Sequence, residues 1–145
     1  GSEMCIRDSP ITGHIFSASY GSIYRSKNEG ETWEVIMGNG NDRYCDLAMT
    51  SNGVMIAGLS RNENQGTVFR SNDGIIWEDI TPTVFPTNYG RIVVDIFESN
   101  DSIAYFLASN GDDHIFLKYK YSSTGKLWFS KFNTEFCKSS FLIAF

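Results

Sequence analysis

Arg43 and Arg91 each stand at the start of a similar apolar run. Two guanidinium groups at matching points of a repeated structure could hold an anionic ligand, because the planar fork meets a carboxylate bidentately. The plainer reading is an arginine paired with a neighbouring Asp. Ser26 with Asn28, and Ser71 with Asp73, form two similar polar clusters. Such clusters could face a ligand, but hydrogen bonding inside a tight turn accounts for them fully. Asp46, Asp95, Asp112 and Asp113 are the available carboxylates. Glycoside hydrolysis needs two of them about 5–10 Å apart across the sugar, and nothing in the sequence selects a pair. His14 and His114 lack partners at ligand spacing. Asn110-Gly111-Asp112-Asp113 has the composition of a calcium loop without its spaced ligand set. No catalytic residue, metal or cofactor is therefore expected.

The elements that would position these residues recur. Gly66-Thr67-Val68-Phe69-Arg70-Ser71-Asn72-Asp73-Gly74-Ile75-Ile76-Trp77 matches Gly21-Ser22-Ile23-Tyr24-Arg25-Ser26-Lys27-Asn28-Glu29-Gly30-Glu31-Thr32-Trp33. A degenerate third copy runs from Ile115-Phe116 to Ser122-Ser123-Thr124-Gly125-Lys126-Leu127-Trp128. Each has a β-branched and aromatic run, which favours a strand, then a polar turn closed by Gly, then Trp. Gly30, Gly74 and Gly125 fall where the chain reverses, a place for positive φ. Trp33, Trp77 and Trp128 each follow their glycine by three residues. This spacing predicts an indole that anchors the return strand, its burial contributing a few kcal/mol at roughly 25 cal/mol per Å².

Ser26-Lys27-Asn28-Glu29-Gly30-Glu31-Thr32-Trp33 closely resembles the Asp-box, S-x-D-x-G-x-T-W, also called the BNR repeat. That repeat recurs on the blades of sialidase-like β-propellers, sortilin-type receptors, xyloglucan-active glycosidases and photosystem II assembly factors. Asn28 stands where the motif has Asp. Ser71-Asn72-Asp73-Gly74 and Ser122-Ser123-Thr124-Gly125 are one residue shorter, and the third copy has no acidic residue. The resemblance implies an all-β protein of antiparallel four-stranded blades. It also implies that Ser26, Asn28, Gly30, Trp33, Ser71, Asp73, Gly74, Trp77, Ser122, Gly125 and Trp128 are structural rather than catalytic.

Along the chain, residues 1–9 lack strand alternation and are set aside from the fold. Gly1-Ser2 resembles an expression-vector scar, Met4 to Ser9 resembles translated adapter sequence, and no apolar core marks a signal peptide. Residues 10–36 then read as a partial blade of about three strands. Residues 43–80 and 91–131 read as full blades, with turns at Ser51-Asn52-Gly53 and Ser99-Asn100-Asp101. Residues 132–145, ending Phe141-Leu142-Ile143-Ala144-Phe145, read as the start of a further blade or a truncated tail. Trp33 to Trp77 to Trp128 brackets the repeat length of four-stranded blades. Val54-Met55-Ile56-Ala57 and Ile103-Ala104-Tyr105-Phe106-Leu107-Ala108 are apolar on both faces, as a sheet packed between two others requires. About two and a half blades cannot close a ring of about four to eight. The expectation is thus a fragment that self-associates when alone.

A net charge of −5 with no Lys/Arg cluster argues against nucleic-acid binding, and no apolar run is long enough to span a bilayer. Cys5, Cys45 and Cys137 have no metal-like spacing. The sialidase chemistry implied by the family needs an arginine triad, a Tyr/Glu nucleophile pair and an acid/base Asp, and none is assignable here. Arg91-Ile92-Val93 lacks the proline of the family's Arg-Ile-Pro motif. The expected function is a non-catalytic propeller segment of a secreted or cell-surface bacterial protein, binding a protein or a carbohydrate. Gly13-His14-Ile15-Phe16 is similar to many such secreted repeat proteins. The alternatives are a fragment of a sialidase-like or xyloglucan-active hydrolase whose catalytic residues lie elsewhere, and an assembly factor of the photosystem type, for which an Arg-rich patch is missing.

Overall fold

The computed structural model describes residues 5–38, 42–61, 67–82, 91–109, 114–122 and 128–131, with the backbone alone described for 42, 43, 61, 67 and 128–131. Gly125, Asp112, Asp113, Cys137 and the expected further strand at 132–145 lie outside the described residues.

The described residues hold twelve strands and no helix. They are β1 (Cys5–Asp8), β2 (Ile15–Ser19), β3 (Ser22–Ser26), β4 (Glu34–Gly38), β5 (Asp42–Met49), β6 (Met55–Arg61), β7 (Thr67–Ser71), β8 (Glu78–Asp79), β9 (Arg91–Ile96), β10 (Ile103–Ser109), β11 (His114–Lys120) and β12 (Trp128–Lys131). They form three four-stranded sheets, β1 to β4, β5 to β8 and β9 to β12, each an antiparallel meander in chain order. The hairpins follow from local chemistry. Between β5 and β6 the Thr50 carbonyl accepts from Gly53 N, and Gly53 takes a φ of 84°.

Residues set aside from the fold on sequence grounds thus contribute a strand. Cys5 to Asp8 pairs in register with Ala18 to Ile15 and completes the first sheet, so three four-stranded sheets replace two and a half. The strand was hidden because three of its four side chains are exposed. It is an edge held by backbone hydrogen bonds, and a solvated edge leaves no alternating pattern.

The middle sheet is buried on both faces. Met55, Ala57 and Leu59 of β6, with Leu47 of β5, meet Phe16, Ala18 and Ile23 of the first sheet. On the opposite face Val54, Ile56 and Ala48 meet Ile92, Val94, Ile96, Ala104 and Phe106 of the third sheet. Because successive side chains on a strand point to opposite faces, the apolar run in β6 serves two cores at once. Gly58 sets the closeness of the second junction. A Cβ there would come within 2.9 Å of Val94 Cγ1 and 3.1 Å of Ile92 Cγ2.

The junctions also carry polar ties. Asp46 accepts from Leu47 N and from Cys5 Sγ through Oδ1, while its Oδ2 accepts from Val94 N at 2.9 Å. One carboxylate therefore connects β1, β5 and β9, the first strands of all three sheets. At the hairpin end, Glu98 Oε1 accepts from both the backbone N and the hydroxyl of Ser51. Those two hydrogen bonds hold the Glu98 carboxyl below its usual range.

Candidate functional site

The two polar clusters form matching turns. In the first, Ser26 Oγ accepts from Gly30 N at 2.8 Å, and Asn28 Oδ1 accepts from Thr32 N at 2.9 Å. In the second, Ser71 Oγ accepts from Gly74 N at 2.8 Å, and Asp73 Oδ1 accepts from Ile75 N and Ile76 N at 2.8 and 3.0 Å. Trp33 Nε1 donates to the Gly30 carbonyl and Trp77 Nε1 to that of Gly74. Glu29 absorbs the extra residue of the first turn by taking a left-handed φ of 59° before Gly30. The side-chain oxygens that accept these bonds are spent on the chain itself. Hydrogen bonds from Ile75 and Ile76 lower the Asp73 carboxyl from its usual range.

The Trp33 indole is not the buried anchor the spacing predicts. Trp33 is 42% exposed, and Trp77 is partly buried against the first core. Their fixed position comes from the N–H bond to the glycine carbonyl three residues earlier. Of the third copy, Ser122 is half-buried and the Trp128 backbone begins β12.

The opposite rim brings together residues from all three sheets. Tyr20 occupies the two-residue turn closing β2 on β3, where Gly21 takes a φ of 96°. Tyr44 enters β5, and Ser60 fixes its backbone by accepting from Tyr44 N at 3.0 Å and donating to Tyr44 O at 2.9 Å. Arg91 opens β9 opposite Ser109. The Tyr20 and Tyr44 rings meet edge to face with centroids 5.9 Å apart, and the Arg91 guanidinium carbon lies 5.7 Å from the Tyr44 ring centre. Tyr20 and Tyr44 are 57% and 45% exposed. A guanidinium and two half-open aromatic rings in a row offer cation–π, stacking and hydrogen-bonding surface to a bound molecule.

The matching-arginine expectation changes here. The β5 ladder skips Arg43, with Asp42 opposite Arg61 and Tyr44 opposite Ser60, so Arg43 sits in a bulge. Tyr44 and Arg91, each paired with the serine near the end of its neighbouring strand, are the register equivalents. The backbone is all that is described of Arg43. Sequence comparison missed the bulge because one extra residue leaves the composition of the run unchanged. Tyr20 and Tyr44 were missed because their meeting depends on how two sheets stack.

The two candidate carboxylates among the described residues accept backbone hydrogen bonds. Asp46 ties the three first strands as described, and Asp95 Oδ1 accepts from Ile96 N at 2.9 Å. No group of three or more His, Cys, Asp or Glu side chains suited to a metal ion occurs among the described residues. None of those residues forms a helix long and apolar enough to cross a membrane. No model of a known protein family matches the chain, and no curated protein matches it.

Proposed function

We propose that the three meanders are successive blades of an Asp-box β-propeller. On this reading the chain is a non-catalytic scaffold, from a secreted or cell-surface protein, that binds a glycan along the rim of Tyr20, Tyr44 and Arg91. The blade reading draws on the way the sheets lean face to face with β5 in contact with both β1 and β9, since propeller blades converge on their first strands. It draws also on the two turns with shared wiring.

The observation that carries the binding reading is the exposed Tyr20–Tyr44 pair beside Arg91. Sugar rings present C–H faces that stack on aromatic rings and hydroxyls that accept from a guanidinium. Rigid tyrosines lose little conformational entropy on binding. A protein ligand would use the same residues, but two edge-to-face rings make a narrow ledge better matched to a saccharide chain than to a broad interface. The test is calorimetric titration with neutral and uronic-acid oligosaccharides. Binding that Tyr44→Ala and Arg91→Ala each weaken about tenfold, with an unchanged denaturation midpoint, supports the reading. Binding of no saccharide, or binding indifferent to both substitutions, overturns it.

A further inference from the structure

The two sheet junctions inside the chain repeat one relationship. Each sheet presents a forward face to the next and a backward face to the one before. The third strand of each sheet carries a cation on its forward face. Arg25 and Arg70 precede the serines of the two turns, and Lys118 stands opposite Tyr105 as Arg70 stands opposite Ile56. In the first two sheets this cation reaches forward to the following sheet. Arg25 Nη1 donates to the Gly74 carbonyl at 3.3 Å, and the Arg70 guanidinium stacks 4.3 Å from the centre of the Tyr121 ring.

The third sheet has the same forward face with no other described sheet lying on it. Val93, Leu107 and Phe116 form one row across β9, β10 and β11, and Asp95, Tyr105 and Lys118 form the next. The Tyr105 and Phe116 rings stack in parallel at 5.9 Å. At the other end, the first sheet has a backward face on which Ile6, Ser17, Tyr24 and Val35 line up across four strands. Ile6 is 47% and Val35 54% exposed.

We propose that a second copy of this chain docks the backward face of its first sheet on the forward face of the third sheet, continuing the intramolecular stacking between molecules. The argument is continuity. The occupant must be a four-stranded antiparallel sheet with a mixed apolar backward face and a polar turn within reach of Lys118. The first sheet of another copy supplies each of these, with the Gly30 carbonyl standing where Gly74 stands for Arg25. The two faces differ, so the contact is head to tail. Such contacts close into a ring or grow open-ended, and two copies already bring together six sheets, within the range that closes a ring. This inference rests on sheet packing alone and stands whether or not the rim binds a saccharide.

The test is sedimentation velocity of the full chain over a wide concentration range, with variants that block one face each. Wild type is expected to self-associate, either to a closed dimer of six sheets or to larger species. Val35→Lys blocks the backward face and Leu107→Lys the forward face; each alone is expected to be monomeric. Their equimolar mixture retains one good junction and is expected to give a 1:1 dimer and nothing larger. Lys118→Glu, a milder change for a half-buried side chain, is expected to weaken association about tenfold, and circular dichroism checks that every variant is folded. A monomeric wild type, as when the chain's own residues 132–145 cover the face, overturns the proposal. So does a single-face variant that dimerises with itself, the mark of like-face pairing.

Discussion

The Arg25 guanidinium donates to the carbonyl oxygen of Gly74 across the junction of the first two sheets, and the same oxygen accepts the indole N–H of Trp77. Phe16 presses on that glycine from the first sheet, since a Cβ at Gly74 would lie 2.5 Å from Phe16 Cζ. One turn residue thus joins the wiring of its own hairpin to the packing of the sheet before it.

Gly74→Ala is therefore expected to be far more damaging than Gly30→Ala. Both positions have left-handed φ, 77° and 91°, which costs about 1 kcal/mol for alanine. At Gly30 the added methyl meets Trp33 at an ordinary 3.8 Å, whereas at Gly74 it collides with a buried ring. Overpacking adds about 1–3 kcal/mol. Urea denaturation midpoints of the two variants should differ accordingly, and equal losses would contradict the contact.

Arg25→Met should cost about 1 kcal/mol, because it removes the hydrogen bond to Gly74 across a packed junction together with the partly exposed ion pair to Glu34. Lys27→Ala should leave the midpoint unmoved, because Lys27 meets Glu34 in open water. The same denaturation series reads both.

The Asp73 turn is expected to be acid-sensitive. Asp73 has its carboxyl lowered in the folded chain by the Ile75 and Ile76 amides. Its contribution is complete above the unfolded value of about 4 and is lost as pH falls through the lower folded value. Asn28 makes comparable bonds without a titrating group. Asp73→Asn should flatten the decline of stability below pH ~4, measured by urea midpoints at successive pH values. An unchanged acid limb would remove Asp73 as its source.

Neighbouring substitutions in β6 should be equally severe. Met55 and Ile56 point into different cores, at 0% and 1% exposure. Met55→Ala and Ile56→Ala should each lose about 2–5 kcal/mol. A strand with one wet face would show one large and one negligible effect.

What could be read in advance was whatever is written locally. The polar turns with their glycines and the apolar runs at Val54–Leu59 and Ile103–Ala108 encode strands and reversals, and the two-sided run at Val54–Leu59 a sandwiched middle sheet, through backbone preference and side-chain type. β1 was illegible because an exposed edge strand needs no alternation. The Trp33 position was misjudged because the indole is fixed by a hydrogen bond rather than by burial. The bulge at Arg43 and the Tyr20–Tyr44–Arg91 row depend on register and on sheet stacking, which no single segment determines.

The reach of Asp46 to the Val94 amide has a consequence for misassembly. Val94 lies on the terminal strand of its sheet, where an open N–H invites an incoming chain to zip on and template fibril growth. A carboxylate already seated there acts as a stopper. Substituting it would unplug the edge and should shorten the lag before thioflavin-positive aggregates form.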